Sequence, residues 1–206
     1  DLTDSDSGVF EDYGLYTQVE QLNKTALKTH GVDSNGQLYK INSFEFLRNE
    51  DVIRLTTDPA YDQTAFEALL EIKGDSDHSK LIEMLEVLND ATSSMDDELF
   101  VTYFDKENIA YWMAFQLLTG NTDTQSWERG VSNYWGNVLF RRCLQTQSYR
   151  NMLDAAMKEL YAYMNKTRIQ SMLEHYRSVT ETYVWQMPDR MHVPITCLLY
   201  TSDAAD

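Results

Sequence analysis

Basic residues are scarce in this chain: 17 Lys and Arg stand against 33 Asp and Glu in 206 residues, a net charge of −16. That balance excludes a non-specific grip on a phosphate backbone, which needs clustered Lys and Arg, so no nucleic acid is expected as a partner. Carboxylates and a nucleotide can still share a site where bound magnesium offsets the repulsion. Cysteine is nearly missing as well. Cys143 and Cys197 are too few for a disulfide framework or a thiolate zinc site. The four histidines (His30, His78, His175, His192) are scattered and fit no metal-ligand spacing. No run of 18 apolar residues occurs, so no membrane span is expected. The opening Asp-Leu-Thr-Asp-Ser-Asp-Ser-Gly is not a signal peptide, and a start without Met fits a mature secreted protein or a fragment. What remains is globular in kind: 43% hydrophobic and 12% aromatic, enough for one domain or slightly more.

Residues 1–12 are acidic and read as a frayed start. From Gly14 to Gln21 apolar and polar residues alternate, which predicts a strand. Asn23 can cap a short helix running to about Thr29. Asp33-Ser-Asn-Gly reads as a turn: it faintly resembles a calcium loop but lacks the remaining ligands and the terminal Glu. Leu38 to Ile41 reads as a second strand. From Asp62 onward the pattern is helical, over Thr64–Lys73, about Ser79–Asn89 with Leu81, Leu85 and Leu88 on one face, Ser148–Tyr163 and Thr167–Trp185. Met152, Ala156, Leu160 and Tyr163 mark one expected buried stripe; Ile169, Leu173, Tyr176 and Tyr183 mark another. The fold class is therefore α+β, mostly helical, with a small strand component near the start.

The densest apolar segment is Ile109 to Leu118, which runs into Thr119-Gly120 and then, three residues past Gly120, Asp123. Asp105 is a candidate N-cap for this helix, with Phe104 as a hydrophobic staple, and Gly120 is a stop in the left-handed conformation. A helix apolar on nearly every side belongs inside a domain, so its end is held rigidly. Rigid elements with a polar residue at the tip are where sites are built. Asp123 is either such a residue or a solvated loop carboxylate.

Gly14-Leu-Tyr-Thr-Gln-Val-Glu-Gln-Leu-Asn-Lys, Gly36-Gln-Leu-Tyr-Lys and Tyr103-Phe-Asp-Lys-Glu-Asn-Ile-Ala-Tyr-Trp-Met-Ala-Phe-Gln-Leu-Leu-Thr-Gly-Asn-Thr-Asp carry a resemblance. In order and spacing as far as Ser126, and over roughly residues 10 to 190, they resemble the spore coat protein H (CotH) kinase-like family. The resemblance implies the C-terminal-lobe-like part of an atypical protein-kinase-like fold that transfers phosphate from ATP, with Mg²⁺, to Ser or Thr of secreted or spore-coat proteins. It implies an extracellular, cell-surface or spore-coat location. It implies that Asp123 is the catalytic-loop aspartate that accepts the proton of the substrate hydroxyl. It also makes the Gly14–Gln21 strand a hinge whose backbone beside Glu20 and Gln21 meets adenine. Glu20 has an alternative use, an i,i+4 pair with Lys24.

Departures from the family pattern matter as much. The phosphate-gripping lobe of the family precedes the Gly-Leu-Tyr strand, and here thirteen residues do. Family members place an Asn on a strand shortly after the catalytic Asp, and then a Trp-Asp-x-Asp strand, as magnesium ligands. This chain passes from Asp123-Thr-Gln-Ser126 directly to Trp127-Glu-Arg-Gly, which resembles family sequence from well downstream. A segment of the family is thus expected to be missing at 126/127, and no metal ligand is assigned. Asn133 and Asn137 are candidates for a substitute ligand or ordinary loop and cap residues. The expected organisation is a partial kinase-like domain over 13–190 and a tail over 191–206. Within the tail, residues 197–206 look like a translated sequencing adapter rather than native protein. Such a chain is expected to be inactive as written. The competing expectation is a non-enzymatic assembly or adhesion module whose acidic, Tyr-rich surface meets a basic partner.

Overall fold

The computed structural model describes residues 2–3, 10–11, 14–16, 18–93, 95, 97–121 and 134–191. The chain divides into two compact units, one of residues 20–163 and one of residues 1–19 with 164–206. It is mostly helical, and its strands are short.

In the larger unit, α1 (Lys24–Thr29) starts where Asn23 accepts the N–H groups of Thr25 and Ala26, as its side chain suggests. Asp33 closes the following turn by accepting the Asn35 N–H at 2.9 Å. β3 (Tyr39–Ile41) pairs antiparallel with β4 (Leu70–Ile72), placing Tyr39 opposite Ile72 and Ile41 opposite Leu70. Between them α2 (Gln63–Leu69) begins at Asp62, which caps Thr64 and Ala65. The helix expected over Thr64–Lys73 therefore stops four residues early. Its last turn is captured by β3, because pairing buries Leu70 to 2% exposure and satisfies a ladder that a short helix end cannot. α3 (Ser79–Asn89) follows and buries Leu81, Leu85 and Leu88 as the periodicity requires.

Two cores result. The smaller gathers Phe44, Ile53, Phe66, Leu70, Leu81 and Leu85. The larger lies among α4 (Asp97–Tyr103), α5 (Lys106–Thr119), α6 (Val138–Gln145) and α7 (Gln147–Tyr163), and includes Phe100, Met113, Cys143, Tyr149 and Leu153. Phe46 and Met84 pack against both. The sequence pattern did not single out α4 or α6. α6 is only eight residues long, but Asn137 caps it and Val138, Leu139, Cys143 and Leu144 are its buried face. On α7 the buried line is Tyr149, Leu153 and Ala156; Met152 and Leu160 sit at its edges, and Tyr163 is 55% exposed. The expected stripe is thus rotated towards the face that meets α5 and α6.

In the other unit, two strands of two residues each pair antiparallel, β1 (Leu2–Thr3) with β2 (Phe10–Glu11). Its main element is α8 (Lys166–Val184), capped by Asn165. None of its residues is buried, so Ile169, Leu173, Tyr176 and Tyr183, expected in a core, are exposed. The strand expected from Gly14 to Gln21 is not formed either: the described residues 14–16 and 18–22 are irregular. Alternation makes a strand only where one face is buried against a partner. Here Val19 is 78% exposed and Tyr16, on the opposite face, 76%. The chain is pinned instead by Asp189, whose two carboxylate oxygens accept the Leu15 N–H at 3.0 Å. Gly14 makes that approach feasible. It has φ 89°, and a Cβ there would collide with the Asp189 carboxylate.

Cys143 illustrates how closed the larger core is. Its side chain is wholly buried, and burial pushes its thiol pKa up to about 12. A thiol held protonated in an apolar interior is unreactive. Alkylation at pH 8 followed by peptide mapping should leave Cys143 unmodified in the native chain and label it fully in denaturant.

Candidate functional site

The Asp123 candidate depends on what holds the end of α5. Asp105 starts this helix by accepting the Asn108 N–H at 2.9 Å, as expected. Ala110, Met113, Ala114 and Gln116 are its buried residues. Behind it, the Tyr149 ring stacks on Phe100 with centroids 6.0 Å apart, and the Tyr149 hydroxyl lies 3.5 Å from the Ile109 carbonyl. Glu159 of α7 accepts the Tyr111 hydroxyl across the same helix pair. On the opposite side Trp112 stacks flat on Phe140, with an interplanar angle of 4° and centroids 5.3 Å apart, and Tyr134 meets both rings edge-on.

The helix ends as the sequence suggests. Gly120 is left-handed at φ 59°, and its N–H reaches the Gln116 carbonyl. Asn121 then doubles the anchor: its N–H donates to the Gln116 carbonyl at 3.2 Å and its side-chain amide to Gln116 Oε1 at 2.6 Å. Gln116 is 9% exposed, so this is a polar tie inside the packed layer rather than a surface contact. This anchored helix end lies two residues before Asp123. Asp123 itself, Asn133 and the 126/127 junction lie outside the described residues.

Glu20 and Gln21 sit in the irregular stretch before α1, in the same unit as α5. Among the described residues their backbone groups make no hydrogen bond, and both side chains are exposed. Glu20 pairs with His30 Nε2 at 2.8 Å. The alternative pairing with Lys24 is not formed, because Lys24 reaches Asp75 at 3.0 Å. Asn137 is settled as a cap: its side chain accepts the Phe140 N–H. Among the described residues no three His, Cys, Asp or Glu side chains converge as a metal site. The described residues therefore do not fit a magnesium centre.

Sequence reasoning overlooked Arg142. It lies in the last turn of α6 and floors an open cleft of about 460 Å³ lined also by Asn89, Ser93, Met95, Arg141 and Gln145. Its guanidinium is already committed, donating to the carbonyls of Leu88, Asp90 and Ser93 and to the Ser93 hydroxyl at 2.6–2.9 Å. That makes it the clasp on the C-terminal end of α3. The Arg141-Arg142 pair in the sequence carries no signal of this, since the acceptors lie about fifty residues away.

The most apolar helix of this mostly helical α+β chain thus ends on the doubly anchored Gly120–Asn121 turn. The family described as CotH kinase protein matches the chain over residues 4–135 and 124–194, and the chain belongs to it. No curated protein and no solved structure matches the chain. Among the described residues no helix is long and apolar enough to cross a membrane.

Proposed function

We propose that this chain is a piece of a CotH-like atypical protein kinase that transfers phosphate from ATP to Ser or Thr of secreted or spore-coat proteins, and that it is inactive as written. Asp123 is the base in this reading. It takes the proton of the substrate hydroxyl as that oxygen attacks the terminal phosphorus. The free backbone beside Glu20 and Gln21 is the edge offered to adenine. What carries the reading is the family match, which falls into two stretches overlapping between 124 and 135, around the 126/127 junction. A break there fits the loss of a family segment, and that segment is where relatives keep an Asn and a Trp-Asp-x-Asp strand for Mg²⁺. Without those side chains the charge that develops on the transferring phosphoryl group has no counterpart, and positioning by Asp123 alone does not compensate.

Long-read sequencing of the source locus across codons 126/127 tests the reading. An intervening segment encoding both strands is expected, and Asp123→Asn in the product of that longer gene should abolish transfer. A junction with nothing between Ser126 and Trp127 would remove the active-kinase reading. A second reading, a non-enzymatic assembly or adhesion module, is favoured by the net charge of −16 together with the exposed Tyr16, Tyr161, Tyr163, Tyr176 and Tyr183. It expects binding to a basic coat or surface protein that neither ATP nor Asp123→Asn alters.

A further inference from the structure

His78 stands immediately before α3 but does not cap it with its side chain. Asp77 accepts the Ser79 N–H at 3.0 Å instead. The His78 backbone is left-handed, φ 63°, a conformation that a residue with a side chain keeps only where its surroundings hold it there. Those surroundings are specific. The ring is wholly buried and lies flat on Phe66, with centroids 3.9 Å apart and planes 21° apart. Nδ1 is 2.8 Å from the Tyr39 hydroxyl and Nε2 is 3.1 Å from the Tyr61 hydroxyl. One imidazole thus joins β3, the loop before α2, α2 itself and the start of α3.

A neutral imidazole has one N–H and one lone pair. The Tyr39 hydroxyl faces Gln37 Oε1 at 3.3 Å and donates to it, so its oxygen accepts Nδ1–H while Nε2 accepts the Tyr61 O–H. Every hydrogen is then used. An imidazolium carries hydrogens on both nitrogens, so the Tyr61 O–H loses its acceptor and must turn away inside a buried site; attraction of the charge to the Phe66 face returns only part of that cost and of the lost hydration. The groups facing the cage offer that charge little. Tyr39 and Tyr61 are neutral, Asp77 is already bonded to Ser79 and Gln37, and Asp62 and Glu67 act on Tyr61.

We propose that His78, clamped between Tyr39 and Tyr61 on the Phe66 ring, is an acid-sensitive latch on the smaller core, closed when the ring is neutral and released when it is protonated. Burial lowers the ring's pKa below the ordinary histidine value, and the Asp77 charge offsets this only in part. The unfolded chain takes up the proton as pH falls through about 6.5, while the folded chain resists until lower pH. Stability of this core is therefore full above that value, falls beneath it, and levels off below the folded pKa. Free Asp and Glu side chains titrate nearer pH 4 than histidine does. The segment from α4 to α7 contains no histidine, so release is confined to the smaller core.

Amide hydrogen exchange of the whole chain at pH 7.5 and 5.5, corrected for intrinsic rates, tests the latch. Protection over 39–41, 66–72 and 79–85 should fall several-fold at pH 5.5 relative to α5 and α7. His78→Asn tolerates the left-handed backbone and does not titrate. It should show lower protection at pH 7.5 and no further fall at 5.5. If that variant does not fold, NMR titration of the wild-type His78 ring decides, with its midpoint expected below the ordinary histidine value of about 6.5. Unchanged protection at pH 5.5, a fall shared equally with α5 and α7, an undiminished fall in His78→Asn, or a His78 midpoint at or above about 6.5 would overturn the proposal.

Discussion

Arg142→Ala is expected to lower the stability of the 20–163 unit by about 2–4 kcal/mol. A hydrogen bond from a charged donor contributes on the order of 1.5–3 kcal/mol where it is buried. Arg142 makes four charge-assisted bonds, three of them half-buried and the one to Asp90 exposed; without it the Leu88 and Ser93 carbonyls lose this donor, while the Asp90 carbonyl keeps the Ser93 N–H and hydroxyl. The sum is discounted because the cleft beside Arg142 is open, so water reaches part of what the guanidinium leaves behind. Lys does not replace it, since a single ammonium cannot span acceptors spread across a helix end and the turn after it. Arg142→Lys should recover less than half of the loss. Denaturant midpoints at constant m-value give the answer directly. A midpoint unchanged by Arg142→Ala would mean that α3 does not need this clasp.

Tyr149→Ala should cost about 3–5 kcal/mol, the usual range for truncating a large buried aromatic. Tyr149 is wholly buried, stacks on Phe100 and backs α5 at Ile109 and Met113. Domains of this size are stable by only about 5–15 kcal/mol, so the variant should lose a large share of its stability and melt well below the wild type. Tyr149→Phe separates packing from the hydroxyl. The hydroxyl contacts are long, 3.5 Å to the Ile109 carbonyl and 3.7 Å to the Met113 sulfur, so this change should cost about 1 kcal/mol or less. Equal losses in the two variants would place the energy in the hydroxyl instead. The same comparison bears on the Asp123 loop, because Tyr149 packs behind the helix that ends in the Gly120–Asn121 anchor.

How far the sequence foretold this molecule depended on where the determining contacts lie. Asp105, Gly120 and Asn23 act within a few residues of themselves, and all three do what their chemistry suggests. The face of α3 followed from spacing alone. Long-range partners overrode local pattern elsewhere. Leu70–Ile72 reads as helix until Tyr39–Ile41 is brought beside it. Residues 14–21 read as a strand, but the described ones among them pair with no other described strand. α8 has a well-formed apolar stripe but no buried residue, so amphipathicity marked the helix and not its burial. In the candidate site, the anchor at Gln116 and Asn121 refines what Gly120 alone implied, whereas Arg142 and the His78 cage bring together residues tens of positions apart. The family motif is what pointed to Asp123; packing arguments reached only the end of the helix that leads to it.

The central expectation for this 206-residue chain is that it transfers no phosphate. The direct measurement is transfer of labelled terminal phosphate from ATP, with Mg²⁺ present, to Ser- and Thr-bearing protein substrates, by the chain as written and by its Asp123→Asn variant. No incorporation above background, identical for the two, is the predicted result. Incorporation that Asp123→Asn abolishes would contradict the account, and the metal ligands would then have to be sought among residues of this chain.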